Sequence, residues 1–150
     1  MDSYADERDE RLLEKDPYTF FVLRRVIGGD CQLLLSDHEG LIICYTGQPY
    51  PVWIFTEDGL SASKMEQAYR LVSEHDLLVK DQRFNVKYAF AEFFIRRAAQ
   101  DGRKLSISTN MYAYDCLNPV RPSVSADGGI HLCTEADMDE LIEFLDLGCT

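Results

Sequence analysis

At 150 residues, 46% hydrophobic and 27% charged, the chain is long enough to close a core and too apolar for disorder to be its default. Its formal charge of −11 gathers at the ends: residues 1 to 16 carry seven acids against three bases, and residues 134 to 150 carry six acids and no base. No window supplies the basic stripe that releases counterions from a polyanion, which excludes DNA and RNA as expected partners.

In chain order, DERDERLLEK (6–15) is charged and helix-permissive. Asp16 and Pro17 resemble a cap followed by a first-turn proline, predicting a second helix from Tyr18 to Ile27 that Gly28 and Gly29 end by turning left-handed. CQLLLS and LIICYTG predict two strands joined by the short polar loop DHEG. The second is apolar on both faces, the pattern of a central strand. In QPYPVWIFT the prolines hold off pairing until Val52, and Trp53 is assigned to the core.

Ser63 and Glu66 form a capping box ahead of Met65, Ala68, Tyr69 and Val72, which share one helical face. LLVK is a short apolar run with strand character. Asn85 is read as the cap of a helix whose Val86, Phe90, Phe93 and Phe94 form a core stripe rather than a cofactor site. Gly102 closes that region, and KLSISTNMYAY alternates Leu105, Ile107, Thr109 and Met111 against Ser106, Ser108, Asn110 and Tyr112, the periodicity of a strand with a half-polar face. NPVRPSVSADGG shifts to Pro, Ser and Gly and reads as a linker. Beyond it IHLC predicts a strand, and Thr134 with Asp137 starts a helix whose apolar stripe is Met138, Leu141, Ile142 and Leu145. The predicted core is Leu33, Leu35, Ile42, Ile43, Val52, Ile54, Phe90, Phe93, Phe94, Leu105 and Ile107.

Five cysteines (Cys31, Cys44, Cys116, Cys133 and Cys149), odd in number and without a CxxC pair, read as reduced packing thiols. Cys133 with His131 lacks zinc-ligand spacing, so no metal is expected. His38, in the turn, and His75, near a helix end, are read as surface groups. YTFFVL is broken by Arg24 and Arg25 and follows an acidic segment, so neither a signal peptide nor a membrane span is expected, and the compartment expected is the cytoplasm.

PYPVWI after a hairpin, FNVKYAFAEFF, the ending Tyr112-x-Tyr114-x-x-Leu117-x-Pro119 and IHLCTEADMDELIEFL together resemble the N-terminal half of two-part GCN5-related N-acetyltransferase (GNAT) proteins, across nearly the whole chain. The element order to Tyr114 is similar to the GNAT fold without its first strand. The resemblance implies an α/β fold with a GNAT-like mixed sheet flanked by helices over residues 1–118, a linker at 119–129, and at 130–150 the first strand and helix of an incomplete catalytic GNAT unit.

In that family the acetyl-CoA pyrophosphate sits on a loop of the form Gln/Arg-x-x-Gly-x-Gly/Ala between the fourth strand and the third helix, where N–H groups at a helix start meet phosphate. The loop in that place here is Thr56-Glu57-Asp58-Gly59-Leu60-Ser61. Only Gly59 matches, and Glu57 and Asp58 put negative charge where phosphates would lie. A second near-match, Arg25 to Asp30, fails at its last position and follows a helix instead of starting one. The resemblance therefore implies no catalytic residue and no bound cofactor in this chain, acetyl-CoA belonging to the full-length family. The chain would be a non-catalytic half of an N-acetyltransferase acting on a primary amine, partnered by the missing catalytic GNAT half, with Ser106, Ser108, Asn110 and Tyr112 as a substrate-side or interface face. Two alternatives stand beside it: a stand-alone binding or protein-interaction module, homo-oligomeric if its terminal strand and helix exchange between copies, and a divergent acyl-CoA-binding enzyme with non-standard loop residues.

Overall fold

The computed structural model describes residues 1–112, 118, 129 and 132–148, the last four of these by backbone alone. The chain divides into two compact units, Met1–Asp115 and Cys116–Thr150. All of the expected linker but Gly129, Ile130 and His131 of the expected terminal strand, and Tyr114, Leu117, Cys116 and Cys149 lie outside the described residues.

The first unit opens with α1 (Glu7–Glu14) and α2 (Phe21–Val26). Then come β1 (Leu33–Ser36), β2 (Leu41–Tyr45), β3 (Val52–Thr56), α3 (Ala62–Glu74), β4 (Phe84–Val86) and α4 (Tyr88–Gln100). The strands form one mixed α/β sheet in the order β1-β2-β3-β4, with β1·β2 and β2·β3 antiparallel and β3·β4 parallel.

Alternation along β2 explains why all five of its residues are buried. Leu41, Ile43 and Tyr45 join Val52 and Ile54 against Ala68, Tyr69, Val72, Phe90 and Phe94 of α3 and α4. Ile42 and Cys44 join Phe55 on the opposite face, against Leu12, Leu13, Phe20 and Leu23 of the N-terminal helical region. A central strand with both faces covered must be apolar throughout, and LIICY is. Each fully buried Leu or Ile here contributes about 1.5–3 kcal/mol of transfer free energy. Phe94 centres the larger cluster, its ring 5.3 Å from Tyr69, 5.3 Å from Phe84 and 5.4 Å from Phe90.

Several expectations are corrected. The second helix begins at Phe21, not Tyr18, because Asp16 turns the chain by accepting from the Thr19 N–H. Gly28 and Gly29 are not left-handed; among the described residues the glycines at positive φ are Gly47, Gly59 and Gly102. The cap of α3 is Ser61, which accepts from the Lys64 N–H, and not Ser63. LLVK is not a strand: Asp76 and Asp81, both at positive φ, bracket it, and the strand forms later at Phe84–Val86. Asn85 is therefore a strand residue paired with Trp53, and Lys87 takes the N-cap of α4.

The largest departure is residues 104–112, the described part of the strand expected at 104–114, which are irregular. Leu105 is half-buried against the larger core cluster, but Ile107 is 45% exposed and Met111 75% exposed. Alternation marks a segment as able to pair; without a neighbouring strand it does not build a ladder.

In the second unit Leu132 and Cys133 are exposed and irregular, so that part of IHLC is not a strand. Thr134 and Asp137 do form the expected capping box, through a short 3-10 turn (Glu135–Asp137) into α5 (Met138–Gly148). Met138, Ile142 and Phe144 on this helix are exposed. Among the described residues no helix is long and apolar enough to cross a membrane.

Candidate functional site

Thr56–Ser61 links β3 to α3, and its backbone is fixed at both ends. Thr56 is buried and pairs with Leu41, and the Glu57 N–H donates to the Gly40 carbonyl at 2.8 Å. At the far end Ser61 caps α3, occupying the site that a helix-bound anion would use. Gly59 sits at φ +74 with open space beyond its Cα, so a side chain there would meet backbone strain rather than a wall.

The two acids of this loop are not idle. Glu57 pairs with Lys15 at 2.5 Å and Asp58 with Lys87 at 2.9 Å. Lys87 also holds Asp16 at 3.1 Å and lies over the Phe55 ring, 5.3 Å from its centroid, with its side chain only 15% exposed. Burial pushes the Asp16 carboxyl up, but hydrogen bonds from Thr19 and Lys87 outweigh it, and the group titrates below its ordinary range. Two lysines against three carboxylates leave the loop net negative. A pyrophosphate would have to displace both lysines' partners before gaining a cation.

On the adjacent hairpin, Asp37 Oδ1 accepts from the N–H groups of Glu39, Gly40 and Leu41, each at 2.9 Å, while Oδ2 accepts from Lys64 at 2.9 Å. Burial raises the Asp37 carboxyl, yet Lys64 and these amides together hold it below the usual range. Lys64 is in turn pushed up by Glu39 and Asp37. An open groove of about 260 Å³ lies here, with Asp2, Asp37, Glu39 and Lys64 among its walls. It falls short of the roughly 300–1,000 Å³ of ordinary ligand sites, and its one lysine is already paired.

A second cluster was not foreseen. His38, expected at the surface, is 8% exposed and stands at φ 57 in the DHEG turn. Its Nδ1 faces Asp9 Oδ2 at 2.7 Å and its Nε2 faces Asp2 Oδ2 at 3.1 Å. A carboxyl group thus faces each ring nitrogen, and the imidazole is held between two acids. Asp9 is fully buried and also accepts from the Ser36 hydroxyl and, at 2.9 Å, from the Asp6 N–H. Tyr4 lies against the His38 ring, 5.1 Å between centroids.

Asp6, Asp9 and His38 bring potential ligand atoms within 4.8 Å of one another. Those atoms are engaged, however: Asp6 is held by Arg8 through both carboxylate oxygens, which brings its carboxyl down to about 2. Nor is this a nucleophilic triad. The Ser36 hydroxyl donates to Asp9 and accepts from the His38 backbone N–H, while both His38 ring nitrogens face carboxylates, so the imidazole does not face the hydroxyl. The cluster ties the N-terminal segment to the β1–β2 hairpin, reinforced by paired backbone hydrogen bonds between Asp2 and Ser36 at 2.8 and 2.9 Å.

Ser106, Ser108, Asn110 and Tyr112, expected as one polar strand face, are all exposed on the irregular run. The Asn110 amide donates to the Tyr112 hydroxyl at 3.4 Å. His75 is exposed at the C-cap of α3, as read from the sequence. Comparison with protein families, with characterised proteins and with solved structures finds no match for this chain.

Proposed function

We propose that the chain is the non-catalytic, GNAT-like N-terminal part of an acetyl-CoA-dependent N-acetyltransferase that acts on a primary amine. In this reading it braces a catalytic GNAT domain and carries no chemistry itself. The observation that carries the proposal is the closed state of Thr56–Ser61. The helix start is capped by Ser61, and Glu57 and Asp58 draw the nearby lysines onto themselves. A loop so satisfied has no free cation for a diphosphate and gives up ion pairs to receive one.

The sequence resemblance supplies the rest: PYPVWI, FNVKYAFAEFF and IHLCTEADMDELIEFL in family order. The exposed run that includes Ser106, Ser108 and Asn110 offers surface for contact with the catalytic domain.

The test uses an antibody raised against the purified chain. Protein captured with it from the native cells is assayed for acetyl transfer from acetyl-CoA to a panel of primary amines. Transfer by the captured protein, with none by the purified 150 residues, is the expected result. Captured protein without transfer, or transfer by the purified chain itself, refutes the reading.

A further inference from the structure

Cys31 lies between the end of α2 and the start of β1, and Cys44 lies within β2, an interior strand of the sheet. Backbone pairing fixes their approach: the Gln32 N–H donates to the Tyr45 carbonyl at 2.8 Å, and Leu34 stands opposite Cys44. The two sulfur atoms are 3.2 Å apart, and the Cys31 thiol lies 3.2 Å from the Val26 carbonyl, to which it donates. A disulfide needs about 2.05 Å between sulfurs, so the pair has about 1.2 Å left to close.

We propose that Cys31 and Cys44 are a redox modification site, a thiol pair that a low-molecular-weight disulfide converts reversibly to an intrachain disulfide. The two cysteines have different parts. Cys31 is half-buried and Cys44 fully buried, so the incoming reagent reaches Cys31. Burial, with Cys31 alongside, pushes the Cys44 thiol well above its ordinary range, which makes it a poor first attacker. The Cys31 thiolate attacks one sulfur of the reagent RSSR; that S–S bond breaks, RS⁻ leaves and takes up a proton, and Cys31 carries the mixed disulfide. Cys44 then attacks the Cys31 sulfur, its proton passing to the departing RS⁻, which forms the intrachain bond and releases the second RSH. In balance, two protein thiols are oxidised and one RSSR is reduced to two RSH.

The second step is intramolecular between groups already in contact, so the mixed disulfide does not accumulate. The product clamps the loop preceding β1 to the central strand and encloses residues 32–43, including His38. Closing a loop of this size raises the melting temperature by about 6–12 °C in a domain of this length.

The test holds the full chain in glutathione buffers of graded poise, traps free thiols with an alkylating reagent, and maps the peptides by mass. Cleavage after Lys and Arg leaves both cysteines on one peptide, residues 26–64. At oxidising poise that peptide is expected to be two hydrogens lighter and free of alkyl label. Further cleavage at Asp37 or Glu39 should give two fragments that separate only on reduction, and the melting temperature should rise as stated. With Cys44→Ser, glutathione should remain attached at Cys31. Alkyl label on both residues at the most oxidising poise, persistence of the Cys31 mixed disulfide in the unmodified sequence, or linkage of Cys31 to Cys133 would each overturn the proposal. The mapping of the unmodified chain decides the matter even if Cys44→Ser does not fold.

Discussion

Replacing Asp9 by alanine should cost about 3–5 kcal/mol of stability, because it removes one buried charge and strands the groups that face it. Asp9 is 0% exposed and accepts from three donors: the Ser36 hydroxyl, His38 Nδ1 at 2.7 Å and the Asp6 N–H at 2.9 Å. Each neutral donor left buried without an acceptor costs about 1–3 kcal/mol, and the imidazole more if it stays charged. Relaxation and water entry recover part of that sum, which brings the total to the range stated. The assay is urea unfolding of the wild type, Asp9→Ala, His38→Gln and the double variant. With a slope of about 1–3 kcal/mol/M, the single Asp9 change should move the midpoint by one to several molar. The cycle should return a coupling of about 1–3 kcal/mol between Asp9 and His38. Hydrogen exchange should localise the effect, with the Asp2 and Ser36 amides losing protection together. A loss below 1 kcal/mol, or coupling within about 0.3 kcal/mol of zero, would refute the view that this ion network fastens the N-terminal segment to the hairpin.

Two further outcomes follow from the packing and from the hairpin. Asp37→Ala should cost about 1–3 kcal/mol at pH 7 through loss of the Lys64 bond and three turn amides. Since the folded-state Asp37 carboxyl titrates below its ordinary value, that contribution is present above about pH 4 and fades as pH falls through the lower folded value. Wild-type and variant stabilities should therefore converge in acid. Phe94→Ala should cost about 3–5 kcal/mol, while Ile107→Ala, at an exposed position, should stay within about 0.5 kcal/mol. A large effect at Ile107 would restore the strand expected at 104–114, and thermal unfolding monitored by circular dichroism distinguishes the two.

The parts of this fold legible in the sequence are those set by neighbouring residues. LIICY declared a two-faced central strand, the prolines before Val52 delayed β3, and the spacing of Phe90 and Phe94 marked the buried face of α4. The Thr134 and Asp137 capping box was readable for the same reason, since its partners are three residues apart. What the sequence concealed depends on distant pairing. Asp9 and His38 meet across 29 positions, and nothing local to DHEG announces that its histidine turns inward. The DERD stretch held a signal for Asp9 alone, as the third helical residue of a capping box with Asp6. The run at 104–112 failed in the opposite direction: its alternation is real, but a strand is a property of two segments, and the turn at Asp101 and Gly102 that follows α4 does not deliver it to a partner. The loop at Thr56–Ser61 was legible in its charges; its ion pairs with Lys15 and Lys87, brought from α1's C-cap and α4's N-cap, were not.

The most direct test of the functional account is calorimetric titration of the purified chain with acetyl-CoA at moderate salt, repeated with Gly59→Leu and with Glu57→Gln/Asp58→Asn. The account predicts only heats of dilution for the native sequence and Gly59→Leu, and at most a weak, salt-sensitive heat when both acids are neutralised. Saturable micromolar binding by the native chain that weakens in Gly59→Leu would contradict it, because the loop would then be a working diphosphate site despite its acids.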